Sequence, residues 1–301
     1  MTDDPRRPEN RLAYRAAIDR PPLALPGGKR VALWPVVNIE HWLIDHPMPR
    51  QILVPPTAAP LLPDLPNWAW HEYGMRVGFW RLLAAFAERG LRPTLSINAS
   101  VCEAYPRVAE AAHAAGWEFM AHGFHQVPTQ RIADEPDMIA RSIATITRFT
   151  GAPPRGWLGP GLTETLDTPD HLKAAGIEYL GDFVVDDRPC RVATRHGPLI
   201  ALPYSVELND IPLLAIQHHR ADEFVERALS NLDRLVAEAG SDGPLGGAKV
   251  MGFAIHPYIT GVPHRIGLLE RLLDAVTARD DVVVMQGSEL LDWYLGTGDN
   301  A

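Results

Sequence analysis

The fold is constrained most by a repeated alternation of short apolar runs with amphipathic segments of helical period. Eight runs have strand character, at 31–37, 93–97, 117–121, 156–159, 178–183, 199–202, 250–255 and 281–285. Between them, the apolar spacing predicts seven helices, at 75–89, 102–115, 136–150, 168–175, 221–239, 264–278 and 287–295. About 250 residues of alternating strands and helices without a linker are typical of one barrel. We therefore predict an α/β fold, a single distorted barrel of seven or eight β/α units.

Local signals predict further features of the chain. Residues 1–28 are rich in Arg, Asp and Pro and are expected to form an N-terminal arm, with the barrel at 29–301. The proline-rich segment 43–70 shows neither helical nor strand period, which predicts a lid or a subunit contact. Ser288 is the expected N-cap of the last helix. The helix at 75–89 is expected to face the core with Val77, Trp80, Leu83 and Phe86.

Composition excludes several classes of protein. The 28 basic and 37 acidic residues give a net charge of −9, and no basic run is present, so nucleic acid is not an expected partner. The first residues lack an apolar signal region, and no apolar run is long enough to cross a bilayer. Two cysteines without metal-type spacing offer neither a disulfide framework nor a zinc motif. We expect a cytoplasmic protein with a small-molecule partner and no membrane contact.

Polar side chains follow the carboxyl ends of the predicted strands, where parallel barrels carry their active sites. Glu40 follows the first run, His122 the third, and His256 the run at 250–255. Two imidazoles and a carboxylate at one mouth can act as general base, general acid or metal ligands. We therefore predict that Glu40, His122 and His256 form a catalytic centre.

A series of short motifs occurs in order between Val31 and Trp293. Its members are Val37-Asn38-Ile39-Glu40, Glu72-Tyr73-Gly74, Phe79-Trp80-Arg81-Leu82-Leu83, Ala121-His122-Gly123, Gly156-Trp157, Asp186-Asp187 with Pro189, Leu202-Pro203-Tyr204, Asn209-Asp210, and His256 followed by Gly261, Pro263 and Arg265. Together they resemble the polysaccharide deacetylase (NodB-like) superfamily, and within it the cofactor-independent allantoinase and cyclic-imide hydrolase branch. The resemblance implies a distorted NodB-type (β/α) barrel, hydrolysis of non-peptide C–N bonds, and a homo-oligomer, either a dimer or a tetramer.

The chain departs from the metal-dependent members of that superfamily, which hold one divalent ion with an Asp and two histidines spaced His-x-x-x-His. On that frame Asn38 replaces the base Asp, Glu40 takes the ligand Asp position, His122 is the first histidine and Gln126 replaces the second. Asparagine cannot accept a proton, and glutamine offers a transition metal only a weak ligand. No cofactor is therefore expected. The alternative is a single zinc ion on a shifted set, Glu40, His122 and His125.

The predicted function is a hydrolase that opens a cyclic amide (an imide, hydantoin or allantoin-like ring) by water attack on a ring carbonyl, without an obligatory metal. Zinc lowers the pKa of bound water from 15.7 to about 7, so its loss costs up to ~12 kcal/mol in forming hydroxide. That loss favours activated rings over an unstrained acetamide. Two alternatives remain: a metal-dependent N-deacetylase with the shifted site, and a catalytically inactive barrel that only binds a ligand.

In this hypothesis Glu40 or His122 removes the proton from water, and His256 protonates the leaving nitrogen or stabilises the oxyanion. The residues expected to bind substrate are Asn38, Trp42, His125, Gln126, Trp157, Asp187, Tyr204, Asn209 and Asp210. Of these, Asp187 or Asp210 would orient a histidine, and Trp42, Trp157 and Tyr204 would sandwich a planar ring. Oxyanion donors would be Asn38, Asn209 and the backbone N–H groups after Gly123 or Gly159. Gln126 is expected to hydrogen-bond an imide oxygen, so Gln126→Ala should raise KM more than it lowers kcat.

Overall fold

One curled sheet of nine strands organises the molecule. A computed structural model describes residues 4–55 and 61–299. The strands are β1 (Val31–Ile39), β2 (Thr94–Ile97), β3 (Glu118–Ala121), β4 (Gly156–Trp157), β5 (Tyr179–Leu180), β6 (Cys190–Val192), β7 (Leu199–Ala201), β8 (Lys249–Ile255) and β9 (Val282–Val284). Their order is β6-β7-β5-β4-β3-β2-β1-β8, with β9 also pairing with β1. The pairs are parallel except for β6 with β7.

Loop residues pair with β8, which together with β6 forms the two edges of the sheet. An isolated bridge joins Asn209 to Ala254, and the Val250 N–H donates to the Asp187 carbonyl at 2.8 Å. The central strand β1 is buried along its whole length, as expected for a parallel strand covered on both faces. The predicted distorted α/β barrel is confirmed. The sequence analysis did not include the short antiparallel strand β6, which has no apolar run of its own.

Ten α-helices occur in the described part of the chain, most of them on the outside of the sheet. They are α1 (Pro8–Arg11), α2 (Leu65–Tyr73), α3 (Phe79–Ala87), α4 (Val101–Ala104), α5 (Pro106–Ala114), α6 (Glu135–Thr150), α7 (Thr168–Ala174), α8 (Ala221–Ala239), α9 (Pro263–Thr277) and α10 (Gly287–Gly296). Helix α8 has the predicted bounds. The N-cap of α10 is Gln286 rather than Ser288, because the Gln286 N–H donates to Glu289 Oε2 at 2.8 Å in a capping box.

Helix α2 was missed by the sequence analysis and is important for the site. Its N-cap is Asp64, and a π-helical turn at Gly74–Gly78 joins it to α3. Gly74 and Gly78 lie against the backbone after β8: a Cβ at Gly78 would lie 2.1 Å from the Pro257 carbonyl oxygen. This close approach places α2 beside the end of β8. Residues 43–55 and 61–64 form no helix or strand, and residues 56–60 of the predicted lid or contact lie outside the described residues.

The core face of α3 differs from the predicted one. Phe79, Leu82, Ala85 and Phe86 are buried, whereas Trp80 is 39% exposed. The predicted face takes every third residue, whereas the buried residues Met75, Phe79, Leu82 and Phe86 are spaced alternately by four and three, so the predicted stripe drifts off the core face. Among the described residues, no helix combines the length and apolarity that a membrane crossing requires.

The N-terminal arm packs on the barrel through buried ion pairs. Arg11 Nη2 lies 2.7 Å from Asp170 Oδ2, with both side chains almost fully buried, and Arg20 contacts Asp186 and Asp299 at 2.8 Å each. Leu23 and Leu25 join an apolar cluster that contains Trp34 of β1. The arm is therefore a structural part of the fold.

Removing the carboxylate that Arg11 contacts is expected to destabilise the protein strongly. Asp170→Ala leaves Arg11 buried without its charge partner, and such a loss lowers the free energy of unfolding by about 3–5 kcal/mol. Urea denaturation measures the change. Glu110→Ala, at the exposed Arg107–Glu110 pair, is the control and should leave stability nearly unchanged. Equal, small effects of both variants would contradict a structural role for the arm.

Candidate active site

Strand register brings the predicted catalytic residues to one edge of the sheet. Ile39, Ile97 and Ala121 are paired across β1, β2 and β3, so the residues that follow them, including Glu40 and His122, emerge side by side. Val37 pairs with Ile255, which places His256 beside Asn38. A cavity of about 1010 Å³ opens there, and its wall includes Asn38, Glu40, His122, His125, Gln126, Tyr204, Asn209 and His256. Met48 and its neighbours in the segment 43–50 form part of the same wall.

Glu40 is the hydrogen-bonded centre of this cavity. Its Oε2 accepts from Trp42 Nε1 at 2.7 Å and from the Tyr258 hydroxyl at 2.9 Å, and its Oε1 accepts from Gln126 Nε2 at 2.8 Å. His256 Nε2 lies 3.6 Å from Oε1. Burial alone would raise the pKa of Glu40, but the hydrogen bond and charge of His256, with His122 and Trp42, lower it to about 2. Glu40 is therefore an ionised carboxylate whose two oxygens together accept three hydrogen bonds.

His256 lies between two carboxylates. Its Nδ1 donates to Asp210 Oδ1 at 2.6 Å, and Asp210 Oδ2 accepts from the His256 backbone N–H and from the Thr260 hydroxyl. Burial opposes the charged ring, but the charge and hydrogen bond of Asp210, together with Glu40, raise the pKa of His256 to about 9. The ring is an imidazolium at neutral pH, and Nε2 is the N–H that faces Glu40.

His122 has the opposite protonation state. Its Nδ1 lies 2.6 Å from the carbonyl oxygen of Leu158, which can only accept, so in the neutral ring Nδ1 carries the proton and Nε2 holds a lone pair. Burial lowers the pKa of His122 to about 4, although the charge of Glu40 and the Leu158 carbonyl act in the other direction. One cavity therefore contains a neutral imidazole and a charged one.

The peptide unit that holds His122 is itself held by a carboxylate. The N–H of Gly159, in the same peptide as the Leu158 carbonyl, donates to Asp182 Oδ1 at 2.8 Å and to Oδ2 at 3.0 Å. Burial raises the pKa of Asp182 to about 7, and burial with the charge of Asp182 raises that of Glu164. This pair fixes the peptide that orients the His122 ring. The residue after Gly159 is Pro160, which has no N–H, so the oxyanion donor predicted after Gly159 does not exist, and the Gly159 N–H itself is held by Asp182.

Gln126 and Asn38 each keep an unpaired amide oxygen. Gln126 donates through Nε2 to Glu40, and Asn38 donates through Nδ2 to the Tyr204 hydroxyl at 3.1 Å. Gln126 Oε1 and Asn38 Oδ1 are shielded from solvent and have no hydrogen-bond partner among residues 4–55 and 61–299. Glu40 uses one N–H of Gln126 Nε2, so the second N–H stays the predicted donor to an imide oxygen, and the unpaired Oε1 adds an acceptor that was not predicted.

Four residues predicted to bind substrate, Trp42, Trp157, Asp187 and Asp210, are not among the residues that line the cavity. Trp42 is buried behind Glu40, stacked on His71 at 4.6 Å between ring centroids, and Trp157 is buried in the main core. Neither ring can sandwich a substrate in these positions. Asp187 lines a separate open groove with Glu226 and Arg227. Of the two aspartates considered for orienting a histidine, Asp210 is the one that does so.

The donors around Glu40 do not fit a metal ion. Its oxygens already accept hydrogen bonds from Trp42, Tyr258 and Gln126, and the charged His256 lies next to them. A cation at Glu40 would face the N–H and O–H groups that already donate to its oxygens and the charged ring of His256. In the described part of the chain, no group of three or more His, Cys, Asp and Glu side chains could hold a metal, so the shifted Glu40, His122 and His125 set is not assembled.

Several residues that shape this site were not predicted from the sequence. Tyr258 donates to Glu40, His71 Nε2 lies 2.8 Å from the Glu40 carbonyl oxygen, and Thr260 and Asp182 support the two histidines. Tyr258 and Thr260 lie two and four residues after His256. Their position just after a predicted catalytic residue was the sequence signal that could have identified them. His71 belongs to the unpredicted helix α2, and Asp182 follows β5 within a run assigned wholly to a strand.

Comparison with known proteins supports the fold and the resemblance. No protein-family model matches the sequence. A protein of Schizosaccharomyces pombe named "Putative polysaccharide deacetylase" is 28% identical over 231 residues, 71% of each chain. The crystal structure of a "probable Polysaccharide deacetylase" from Pseudomonas aeruginosa PAO1 has a TM-score of 0.82 at 25% identity, covering 94% of this chain and 98% of that one. PuuE allantoinase has a TM-score of 0.82 at 24% identity, covering 96% and 100%. The predicted resemblance to polysaccharide deacetylases and the predicted NodB-type barrel are confirmed.

Proposed function

We propose that this chain, a NodB-type barrel similar in sequence to polysaccharide deacetylases, is a hydrolase of non-peptide C–N bonds that opens cyclic amides without an obligatory metal. The observation that carries the proposal is the pair of histidines with opposite protonation states around one ionised carboxylate. The neutral His122 can accept a proton and the charged His256 can donate one at the same pH. The donor-filled surroundings of Glu40 support metal-independent chemistry.

In the proposed reaction, His122 Nε2 takes a proton from water as the water oxygen attacks a ring carbonyl carbon. The C–N bond of the tetrahedral intermediate then breaks, and His256 Nε2 gives its proton to the departing nitrogen. The product is a ring-opened acid that retains the nitrogen. Asp210 keeps its hydrogen bond to Nδ1 throughout, so the His256 ring remains oriented after it loses the Nε2 proton.

The same geometry assigns Glu40 an electrostatic function instead of base catalysis. Its pKa of about 2 and its filled hydrogen-bond positions make it a poor proton acceptor. Its negative charge helps to keep His256 protonated. Of the two candidates for the base, His122 is therefore the one we propose.

An assay of several substrates with and without a chelator tests the proposal. Purified protein is dialysed against EDTA and assayed with succinimide, hydantoin, allantoin and an N-acetyl sugar. We expect ring opening of at least one cyclic amide, at the same rate before and after chelation, because the proposed base and acid are side chains. Activity that is lost on chelation and restored by zinc would favour the metal-dependent N-deacetylase. Tight binding of one compound without turnover would favour an inactive, ligand-binding barrel.

A further inference from the structure

We infer that the cavity selects rings that carry a free N–H group and rejects the same rings when that nitrogen is alkylated. This inference rests on the proposed function and narrows its substrate class. It follows from Gln126 and Asn38, whose unpaired amide oxygens belong to side chains that line the cavity wall.

The orientation of the Gln126 amide is fixed by its partner. Glu40 is ionised and can only accept, so the Gln126 atom at 2.8 Å from Glu40 Oε1 must be the nitrogen. The backbone N–H of Gln126 donates to the His41 carbonyl at 3.2 Å, which anchors the residue in its loop. The side-chain oxygen Oε1 has no hydrogen-bond partner among the described residues, and an amide oxygen accepts hydrogen bonds only.

Asn38 supplies a second acceptor on the same wall. Its Nδ2 donates to the Tyr204 hydroxyl, which also receives Asn209 Nδ2 at 3.3 Å, and Asn209 is fixed because its Oδ1 accepts the Ile211 N–H. Asn38 is 1% exposed. Buried polar atoms without a partner are uncommon because they lose their hydrogen bonds to water.

The ligand that satisfies these atoms brings donors and carries no negative charge next to them. The Gln126 amide contacts the carboxylate of Glu40, which disfavours an anionic group beside it, whereas an imide or hydantoin N–H supplies a neutral donor beside the carbonyl that is attacked. Sites that hydrogen-bond a substrate N–H discriminate strongly against analogues that lack it, because the protein atom then stays unpaired. N-alkylation removes the donor and leaves the carbonyls in place.

The experiment compares ring pairs that differ by one methyl group. Hydantoin and succinimide are assayed against 1-methylhydantoin, 3-methylhydantoin and N-methylsuccinimide, with 5-methylhydantoin and 2-methylsuccinimide as carbon-methylated controls for size. We expect kcat/KM to fall at least ~100-fold for N-methylsuccinimide and for at least one of the two N-methylhydantoins, each of which keeps one free N–H. The carbon-methylated rings should lose much less. Equal turnover of N-methylated and parent rings would overturn the inference and leave the proposed function intact. Failure of every ring would overturn the proposed function itself.

A matched pair of variants tests whether Gln126 provides this selectivity. Gln126→Met removes the acceptor at similar size, and we expect the ratio of kcat/KM between parent and N-methylated ring to fall at least ~10-fold. Gln130→Met makes the same change on an exposed residue that donates to the Glu164 carbonyl, and it should keep the wild-type ratio. An unchanged ratio in folded Gln126→Met would overturn the assignment to Gln126. If Gln126→Met does not fold, the assays of parent and N-methylated rings with the wild-type protein still test the inference.

Discussion

Replacing His122 with asparagine is expected to lower kcat for ring opening by about 10²–10⁴-fold, the usual contribution of a general base. The amide nitrogen of asparagine can still donate to the Leu158 carbonyl in the place of Nδ1, but the variant has no Nε2 lone pair to accept a proton from water. Because the change removes proton transfer and keeps the local hydrogen bond, KM should change little. Steady-state kinetics with the best cyclic amide measures both parameters.

His113→Asn is the control for this substitution. His113 lies exposed on α5, outside the cavity, and its replacement should leave kcat and KM at wild-type values. The pH profile gives a second check. With a pKa of about 4, His122 is neutral at all higher pH values, so the acidic limb of the wild-type kcat/KM profile should lie at about pH 4. A His122→Asn variant that retains wild-type kcat would exclude His122 as the base.

The sequence predicted those parts of the fold and site that depend on local periodicity and on strand ends. Parallel strands align their carboxyl ends, so residues that follow apolar runs converge even when they are as distant in sequence as Glu40 and His256. Helix α8 was predicted to its bounds because its apolar positions repeat regularly and a Gly follows it. In both cases, local sequence is sufficient to predict the structure because parallel strands and α-helices repeat the same backbone geometry along the chain.

The errors arose where a long-range contact decides the outcome. Trp42 and Trp157 follow or end strands, and the sequence does not tell whether such a ring turns into the cavity or into the core. The Asp186–Asp187 pair is used structurally, since Asp186 binds Arg20 of the N-terminal arm at 2.8 Å. Helix α2 is short, and it depends on packing against the segment after β8 as well as on its Asp64 cap.

The unpaired oxygen of Gln126 shows how substitution at one position can change the chemistry of a site. A histidine there would offer a metal a lone pair, but glutamine directs an N–H at Glu40 and leaves an acceptor for substrate. With its lone pairs in hydrogen bonds, Glu40 stabilises the charged form of His256. The amide orientation of Gln126 and the charge of His256 are therefore linked through one network of polar contacts around Glu40.

Asp210→Asn is expected to remove most activity at pH 8 and to shift the basic limb of the pH profile. The charge of Asp210 and its hydrogen bond raise the pKa of His256 to about 9, so the wild type keeps its acid protonated at pH 8 and loses kcat/KM as the pH rises through about 9. Without that charge, burial dominates and lowers the pKa of His256. The basic limb of the pH profile of Asp210→Asn should then move to lower pH, and kcat of this variant at pH 8 should fall by about 10²–10⁴-fold.

The shift in the pH profile distinguishes this effect from a loss of structure. A destabilised protein would lose activity at every pH, whereas Asp210→Asn should recover part of its activity as the pH is lowered and His256 regains its proton. Asp233→Asn, on the exposed surface of α8, is the matched control and should keep the limb near 9. Thr260→Val removes one hydrogen bond from Asp210 and keeps its charge, so its limb should shift less than that of Asp210→Asn. A limb that stays at about 9 in Asp210→Asn would exclude His256, held by Asp210, as the group that titrates there.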